Sequence, residues 1–183
     1  MRNYIRTYTG VNFTFEPFDP EHIKIEDIAH HLSLLCRYNG ASAQLYSVAQ
    51  HSVWCAQQVK PDWLLFPQAC GDVKEFKYAL HRLLHDAAEA YLGDMTSPLK
   101  VHFPEFVKMH DALLELIYQK YCGFNDDERA AIDFEVEFVD HVMAPKYEEP
   151  FIWNPVACAN ISWTPRQAEQ AFLDEFTKLG GKI

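Results

Sequence analysis

Residues 81–94 decide the fold of this chain, and they read HRLLHDAAEAYLGD. The run favours a helix that buries its leucines. The adjacent pair His85-Asp86 and the carboxylate of Glu89, three residues later, fall together on another side of that helix. Clustered acidic groups repel one another and are costly to desolvate, and a divalent cation is the simplest group that stabilises them. The stretch therefore predicts a metal site on a helix and a metal-dependent enzyme, most simply a hydrolase.

Apolar spacing and capping residues predict further helices around this stretch. The predicted helices are Ile25 to Cys36, Ser47 to about Val59, Pro61 to near Gly71, Lys74 to Tyr91, Glu105 to Tyr121, Asp126 to about Met143, and Thr164-Pro165 to about Leu179. Residues 4–8 and 12–16 alternate in polarity around Gly10 and predict a short β-hairpin. The segment 145–164 has prolines, aromatic residues and no strong period, which predicts an ordered excursion.

Length and composition favour one soluble globular domain over residues 1–183, with its core at about 20–145 and a C-terminal excursion and helix over 146–183. We expect no transmembrane helix and no signal peptide, because no apolar run is long enough for either. The fold class is predicted as all-α with the short N-terminal hairpin.

Five cysteines are widely spaced, with no Cys-x-x-Cys motif, which argues against a disulfide framework and a zinc ribbon and fits a reducing cytoplasm. The formal net charge is −10, and there is no dense basic run. Since nucleic-acid binding depends on neutralising phosphates with Lys and Arg, we expect no stable nucleic-acid binding and no membrane partner. The net charge does not exclude an anionic small molecule as a ligand, because a metal and a few local cations can determine the charge of one pocket.

Four candidate metal ligands stand out by residue type, namely His51, His85, Asp86 and Asp140. Imidazole combined with carboxylate suits one divalent ion such as Zn²⁺, Co²⁺, Mn²⁺, Fe²⁺ or Ni²⁺. Such an ion lowers the pKa of bound water from about 15.7 towards about 7 and orients a phosphoryl oxygen. Glu89 would crowd this set as a further ligand, so it is better placed as a general acid or base.

The same four residues carry a resemblance to a known family. His51, His85-Asp86 and Asp140 match the H…HD…D signature of the HD-domain metal-dependent phosphohydrolases. Three stretches are similar to the small prophage-type members of that family, which resemble bacterial 5′-deoxynucleotidases: LCRYNG at 35–40, YSVAQHS at 46–52, and HDAAEAY at 85–91 continuing to 100. The resemblance covers roughly residues 3 to 143, and it implies an HD-type helical fold, a single divalent metal and cleavage of a nucleotide phosphoester.

The resemblance also implies roles for five residues around the metal. Glu89 would transfer a proton, and Asp94 would position the attacking water or the substrate. Arg37 would bind the phosphate, with Lys100 as a second cation. Tyr38 falls where the 5′-deoxynucleotidases carry an aromatic residue close to the sugar. These roles imply a nucleotide as the substrate.

Two ligand assignments have competitors in the sequence. Asp133, Glu135 and Glu137 lie on the same predicted helix as Asp140 and could instead form a solvated acidic face. His81 comes one helical turn before His85 and is a further ligand candidate, although it also fits as a polar neighbour of the site.

Three functions share this signature. The ligands and the acid/base residue are common to enzymes that release phosphate from a deoxynucleoside monophosphate and to those that release tripolyphosphate from a triphosphate. Because Arg37 and Lys100 are the only two cations that can be assigned to the site from the sequence, the monophosphate is favoured. A non-catalytic HD protein with a structural metal could use the acidic surface to bind a basic host protein, but such a protein would need neither Glu89 nor Asp94. A homo-oligomer through the apolar helix at 105–121 also stays open.

Overall fold

The structure, a computed structural model, describes residues 3–58, 72–123 and 129–183. The predicted helix from Pro61 to Gly71 and the predicted cap at Asp126 lie outside these residues. The helices are α1 (Ile25–Leu34), α2 (Val48–Ala56), α3 (Asp72–Leu84), α4 (Glu89–Leu92), α5 (Ser97–Lys100), α6 (Pro104–Tyr121), α7 (Arg129–Phe138), α8 (Ala144–Tyr147), α9 (Glu149–Ile152), α10 (Pro155–Ile161) and α11 (Pro165–Lys178). The prediction of an all-α fold with a short hairpin is confirmed.

The hairpin consists of antiparallel strands β1 (Tyr4–Arg6) and β2 (Asn12–Thr14), with Ile5 opposite Phe13. It is shorter than predicted because the connecting residues are bonded within a turn and to α1. Asp27 on α1 accepts hydrogen bonds from the backbone N–H of Thr9 at 2.7 Å and from its hydroxyl at 2.8 Å. The buried Phe13 ring stacks on Tyr91, with 4.2 Å between centroids, so the hairpin covers the end of α4.

The main core lies between α1, α2, α3, α6 and α11. Its fully buried members include Leu32, Leu83, Leu113, Phe172 and Phe176. The last two come from α11, so the core extends past the predicted boundary at about 145. A capping box between Thr164 and Gln167 begins α11 where predicted.

The helix predicted over Lys74 to Tyr91 is interrupted. α3 ends at Leu84, residues 85–88 form a turn, and α4 begins at Glu89. The imidazole Nδ1 of His85 donates to the carbonyl oxygen of Arg82 at 2.8 Å, so the ring competes for an acceptor of the last helical turn. The next backbone hydrogen bonds span three residues and not the four of an α-helix. They run from Ala87 N–H to the Leu84 carbonyl at 2.9 Å and from Glu89 N–H to the Asp86 carbonyl at 3.0 Å. The His-Asp pair therefore lies in a turn between two helices.

A second irregularity contains Asp140. The predicted helix at 126–143 consists of α7 followed by a π-helical turn, Val139–Met143, which continues into α8. Such wide turns occur frequently at functional sites. Pro145 lies in the first turn of α8, directly after the π-turn. The chain therefore stays helical past the predicted end.

The buried Arg82 joins three helices beneath the turn at residues 85–88. Its Nε donates to the Cys55 carbonyl at the end of α2 at 3.2 Å, and its Nη1 lies 3.4 Å from Glu135 on α7. Arg82 thus fixes α3 relative to α2 and α7, the helices around the metal-ligand candidates. None of the helices in the described part of the chain has both the length and the apolar character that a membrane crossing requires.

Candidate metal centre

One helix, one turn and one π-turn bring the four predicted metal ligands together. Ser47 caps α2 by accepting a hydrogen bond from Gln50 N–H, and His51 follows one turn later, fully buried. His51 Nε2 lies 3.0 Å from Asp140 Oδ1 and 3.9 Å from Asp86 Oδ2. His85 Nε2 lies 3.2 Å from Asp86 Oδ2 and 3.9 Å from Asp140 Oδ1. Two imidazole nitrogens thus face two carboxylates from three parts of the fold.

These separations fit a bound ion. Ligand atoms about 2.0–2.1 Å from a common metal lie about 3 Å apart, close to the shorter of the observed spacings. Among the described residues, a buried group of donor atoms from His51, Cys55, His85 and Asp140 lies with every pair within 4.8 Å, and this group could hold a metal ion. His85 Nε2 is buried and has no hydrogen bond of good geometry within the described chain, although Asp86 is near. A metal ion would provide that nitrogen with a bonding partner.

The second nitrogen of each imidazole is held by a different kind of partner. His51 Nδ1 donates to the buried carboxylate of Glu148 at 2.8 Å, and Glu148 also accepts a hydrogen bond from the Tyr46 hydroxyl. His85 Nδ1 donates to the Arg82 carbonyl. Both arrangements leave Nε2 directed to the cluster, and a carboxylate–histidine pair is a common support for a metal-binding imidazole.

Sequence reasoning missed Glu148 and Cys55. Cys55 follows His51 by four residues, and that spacing alone could have indicated a shared helix face. No comparable signal marks Glu148, which lies 97 residues after His51 in the segment without a clear period.

Arg37 contacts both acidic ligand candidates. Its Nη1 lies 3.4 Å from Asp86 and its Nη2 lies 3.7 Å from Asp140. Burial acts to raise the pKa of Asp86, but attraction to His85, His51 and Arg37 outweighs it and holds that pKa well below the usual range. The pKa of Asp140 is lowered in the same way, with burial opposed mainly by His51 and His85. Both carboxylates are therefore ionised and available to a cation.

Glu89 lies beside this cluster and contacts Lys100. The Lys100 Nζ is 3.4 Å from Glu89 Oε1. Burial raises the pKa of Glu89 well above the ordinary value, repulsion from Asp86 and Asp94 adds to the rise, and Lys100 opposes it. Burial and Asp86 also raise the pKa of Asp94. A carboxyl group in such surroundings retains a proton more readily than an exposed one.

Tyr38 occupies a strained backbone position next to Arg37. Its φ of 56° lies in the left-handed region, which is uncommon for a large side chain. Its hydroxyl donates to Glu149 at 3.1 Å, and its ring lies 5.1 Å from the Trp153 ring. This conformation places the tyrosine on the wall of the cavity that contains the metal-ligand candidates.

That cavity has a volume of about 630 Å³. Eight of the nine predicted site residues line it: Arg37, Tyr38, His85, Asp86, Glu89, Asp94, Lys100 and Asp140. The ninth, His51, is buried behind the wall and reaches the cluster from within the core. Such a volume lies within the range of small-molecule sites, about 300–1,000 Å³.

The competing ligand candidates lie elsewhere or have other partners. Glu135 is buried against Arg82, and His81 Nδ1 donates to the Lys77 carbonyl at 2.8 Å. Asp133 and Glu137 line the cavity but are not in the group of four donor atoms found among the described residues. On α7 and the π-turn that follows it, Asp140 is the acidic residue in that group.

The chain is similar to two proteins whose names state no activity. The chain is 36 % identical over 119 residues to the uncharacterized protein YfdR of Escherichia coli (strain K12), covering 65 % of this chain and 58 % of that protein. It is 36 % identical over 105 residues to an uncharacterized protein of Rhodobacter capsulatus, covering 56 % of this chain and 50 % of the relative. The chain thus spans 58 % of the first relative's length and 50 % of the second's. No protein-family model matches the chain.

Proposed function

We propose that this protein is a metal-dependent phosphohydrolase that cleaves the 5′-phosphoester of nucleotides, with deoxynucleoside monophosphates as its substrates. The observation that carries the proposal is the meeting of the His51 and His85 imidazoles with the Asp86 and Asp140 carboxylates at a cavity of about 630 Å³. Imidazole and carboxylate donors suit Zn²⁺, Co²⁺, Mn²⁺, Fe²⁺ or Ni²⁺. When bound, such an ion lowers the pKa of water and offsets charge on phosphoryl oxygens.

Arg37 binds the phosphate in this proposal. Its guanidinium lies between Asp86 and Asp140. Asp86 and Asp140 would hold the divalent ion, so the N–H groups of Arg37 would be able to donate to phosphate oxygens. A planar guanidinium can make two parallel hydrogen bonds to a phosphate, which also orients it. Lys100, at the same cavity, supplies a second positive charge.

Glu89 carries the proton in this proposal, and Asp94 orients the attacking water. Glu89 is buried at the cavity, and this burial raises its pKa and favours the protonated form that can donate to the leaving 5′-oxygen. Lys100, 3.4 Å away, stabilises the carboxylate that remains after the transfer. Tyr38 lines the cavity and provides aromatic surface for the nucleoside, and the Trp153 ring packs 5.1 Å from the Tyr38 ring.

The charge of the cavity supports a monophosphate over a triphosphate. Its described lining contains two cations of the Lys and Arg type, Arg37 and Lys100. The same lining contains eight Asp and Glu side chains: Asp86, Glu89, Asp94, Asp111, Glu115, Asp133, Glu137 and Asp140. Each further phosphate brings negative charge towards these acids, which repel it. We therefore infer that the smaller anion is preferred.

Product identity tests the proposal. Metal-replete protein is incubated with dAMP and with dATP in Co²⁺ or Mn²⁺, and the products are separated by chromatography. We expect deoxyadenosine and phosphate from dAMP, and a fall in kcat of about 10²–10⁴-fold in Glu89→Gln. The matched control is Glu105→Gln, which changes an exposed glutamate that pairs with Lys108.

Two other results would revise the proposal. Deoxyadenosine and tripolyphosphate from dATP would identify a triphosphohydrolase. If metal binds and neither nucleotide is cleaved, the phosphohydrolase proposal is wrong, and a protein-binding role with a structural metal becomes the better explanation.

A further inference from the structure

Two side chains on α2 approach the metal-ligand cluster from the same helix face. His51 and Cys55 are separated by four residues, and both are buried. The Cys55 Sγ lies 3.4 Å from His51 Nε2, the nitrogen that faces Asp140. The same sulfur lies within 4.8 Å of the donor atoms of His85 and Asp140. The thiol is therefore part of the cluster.

A second observation, independent of the cysteine, indicates that this group receives a ligand. The His85 side chain is more than nine-tenths buried, and its Nε2 has no hydrogen-bond partner of good geometry among the described residues. That nitrogen belongs to the same group of four donor atoms. A buried imidazole nitrogen without a well-aligned hydrogen bond is costly, and an ion between the sulfur and the imidazoles would satisfy it.

We propose that Cys55 is a ligand of the metal at this centre and that its sulfur makes the site select Zn²⁺ over Mn²⁺ and Mg²⁺. This inference rests on the metal site of the proposed function. When the ion binds, the Cys55 S–H bond breaks, the sulfur forms the bond to the metal as a thiolate, and the proton passes to the solvent. Thiolate ligands favour Zn²⁺, whereas carboxylate and water ligands suit Mg²⁺ and Mn²⁺.

X-ray absorption at the zinc edge tests this ligand directly in the wild-type protein. The full chain is loaded with one equivalent of Zn²⁺. A sulfur ligand gives a scatterer at about 2.3 Å, and nitrogen and oxygen ligands give scatterers at about 2.0–2.2 Å. The wild-type spectrum needs no substitution, so it does not depend on whether a variant folds. We expect one sulfur in the zinc shell.

Two serine variants identify the cysteine responsible. Cys55→Ser should remove the sulfur signal and weaken Zn²⁺ binding by more than about 100-fold, because loss of a mere orienting partner already costs 10–100-fold. Mn²⁺ affinity should change much less. The matched control is Cys158→Ser, which changes another buried cysteine, located on α10 with its Sγ 3.3 Å from Ser162 Oγ. That variant should retain both the signal and the affinity.

The remaining outcomes each overturn the inference. Zinc bound with only nitrogen and oxygen neighbours would exclude Cys55 as a ligand and leave the proposed phosphohydrolase standing. A sulfur signal that persists in Cys55→Ser would assign it to another cysteine. Failure of the wild-type chain to bind one equivalent of Zn²⁺, Co²⁺ or Mn²⁺ would overturn both the inference and the proposed function.

Discussion

The two histidines of the candidate metal centre are held by partners at very different distances along the chain. In the turn after α3, His85 Nδ1 donates to the backbone carbonyl of Arg82, three residues earlier. On α2, His51 Nδ1 donates to the side chain of Glu148, 97 residues later. The two Nε2 atoms nevertheless face the same carboxylates. One ring is oriented by its own turn, and the other depends on how the C-terminal segment packs on α2.

This difference determines which of the two hydrogen-bond acceptors that orient the histidines can be removed by mutation. A side-chain substitution cannot remove the carbonyl that orients His85, whereas Glu148 can be replaced. A carboxylate partner also raises the basicity of the imidazole it holds, so Glu148 strengthens His51 as a ligand. We therefore expect both histidines to be necessary for metal binding. Only His51 should also be sensitive to mutation of the side chain that orients it.

The largest effect should come from removing either imidazole. His51→Ala and His85→Ala should each lower metal affinity by more than about 10³-fold, because each takes one of a few direct ligands from a site whose binding energy they share. Metal content after desalting, measured by mass spectrometry, checks this. His22→Ala, at a half-exposed histidine near α1, should bind metal normally. Full metal retention by either ligand variant would remove that histidine from the site.

A smaller effect should follow from neutralising the long-range support. Glu148→Gln should lower metal affinity by about 10–100-fold, as expected for a carboxylate that orients a metal-binding imidazole. Titration with a competing chelator measures it. Glu169→Gln is the matched control, since Glu169 pairs with the His30 imidazole at 3.1 Å elsewhere in the fold. Equal affinities in the two variants would mean that Glu148 does not support the metal.

Mutation of Arg37 tests whether this residue binds the substrate and not the metal. Arg37→Lys keeps the charge beside Asp86 and Asp140 but loses the planar pair of donors, so KM for the nucleotide should rise about 10-fold while metal content stays unchanged. Steady-state kinetics on the best substrate measures this, with Arg166→Lys on the exposed side of α11 as the control. A loss of metal with unchanged KM would reverse the assignment.

The smallest effect should come from Tyr46, which is linked to His51 through Glu148. Tyr46→Phe removes the hydroxyl that donates to Glu148 but leaves the bond between Glu148 and His51. We expect metal affinity to fall by less than about 10-fold, and the free energy of unfolding to fall by about 1–3 kcal/mol for a lost hydrogen bond to a charged group. Urea unfolding and chelator titration measure the two effects. A larger affinity loss than in Glu148→Gln would contradict the order of support.

Much of the local structure could be predicted because its causes are local. Caps at Ser47 and Thr164 and the stop at Gly93 are signalled by residue type and begin or end helices in the structure. The break at residues 85–88 could not be predicted from apolar spacing, because it accompanies a hydrogen bond from the His85 side chain to a backbone carbonyl.

The candidate site divides in the same way. His51, His85, Asp86 and Asp140 were predicted as a group from their types and order, and the structure brings them within 4 Å of one another along the chain of imidazole–carboxylate contacts. The role of Glu148 depends on tertiary packing of a segment that has no period, so no sequence pattern could indicate that it meets His51.

The most direct test of the metal centre is a crystal structure of the Zn²⁺-loaded protein with anomalous diffraction measured at the zinc edge. We expect one anomalous peak between His51 Nε2, His85 Nε2 and the Asp140 carboxylate, with Glu148 still bonded to His51 Nδ1. A peak elsewhere, or no peak in protein that has taken up zinc in solution, would contradict a metal centre at this junction of α2, the 85–88 turn and the π-turn.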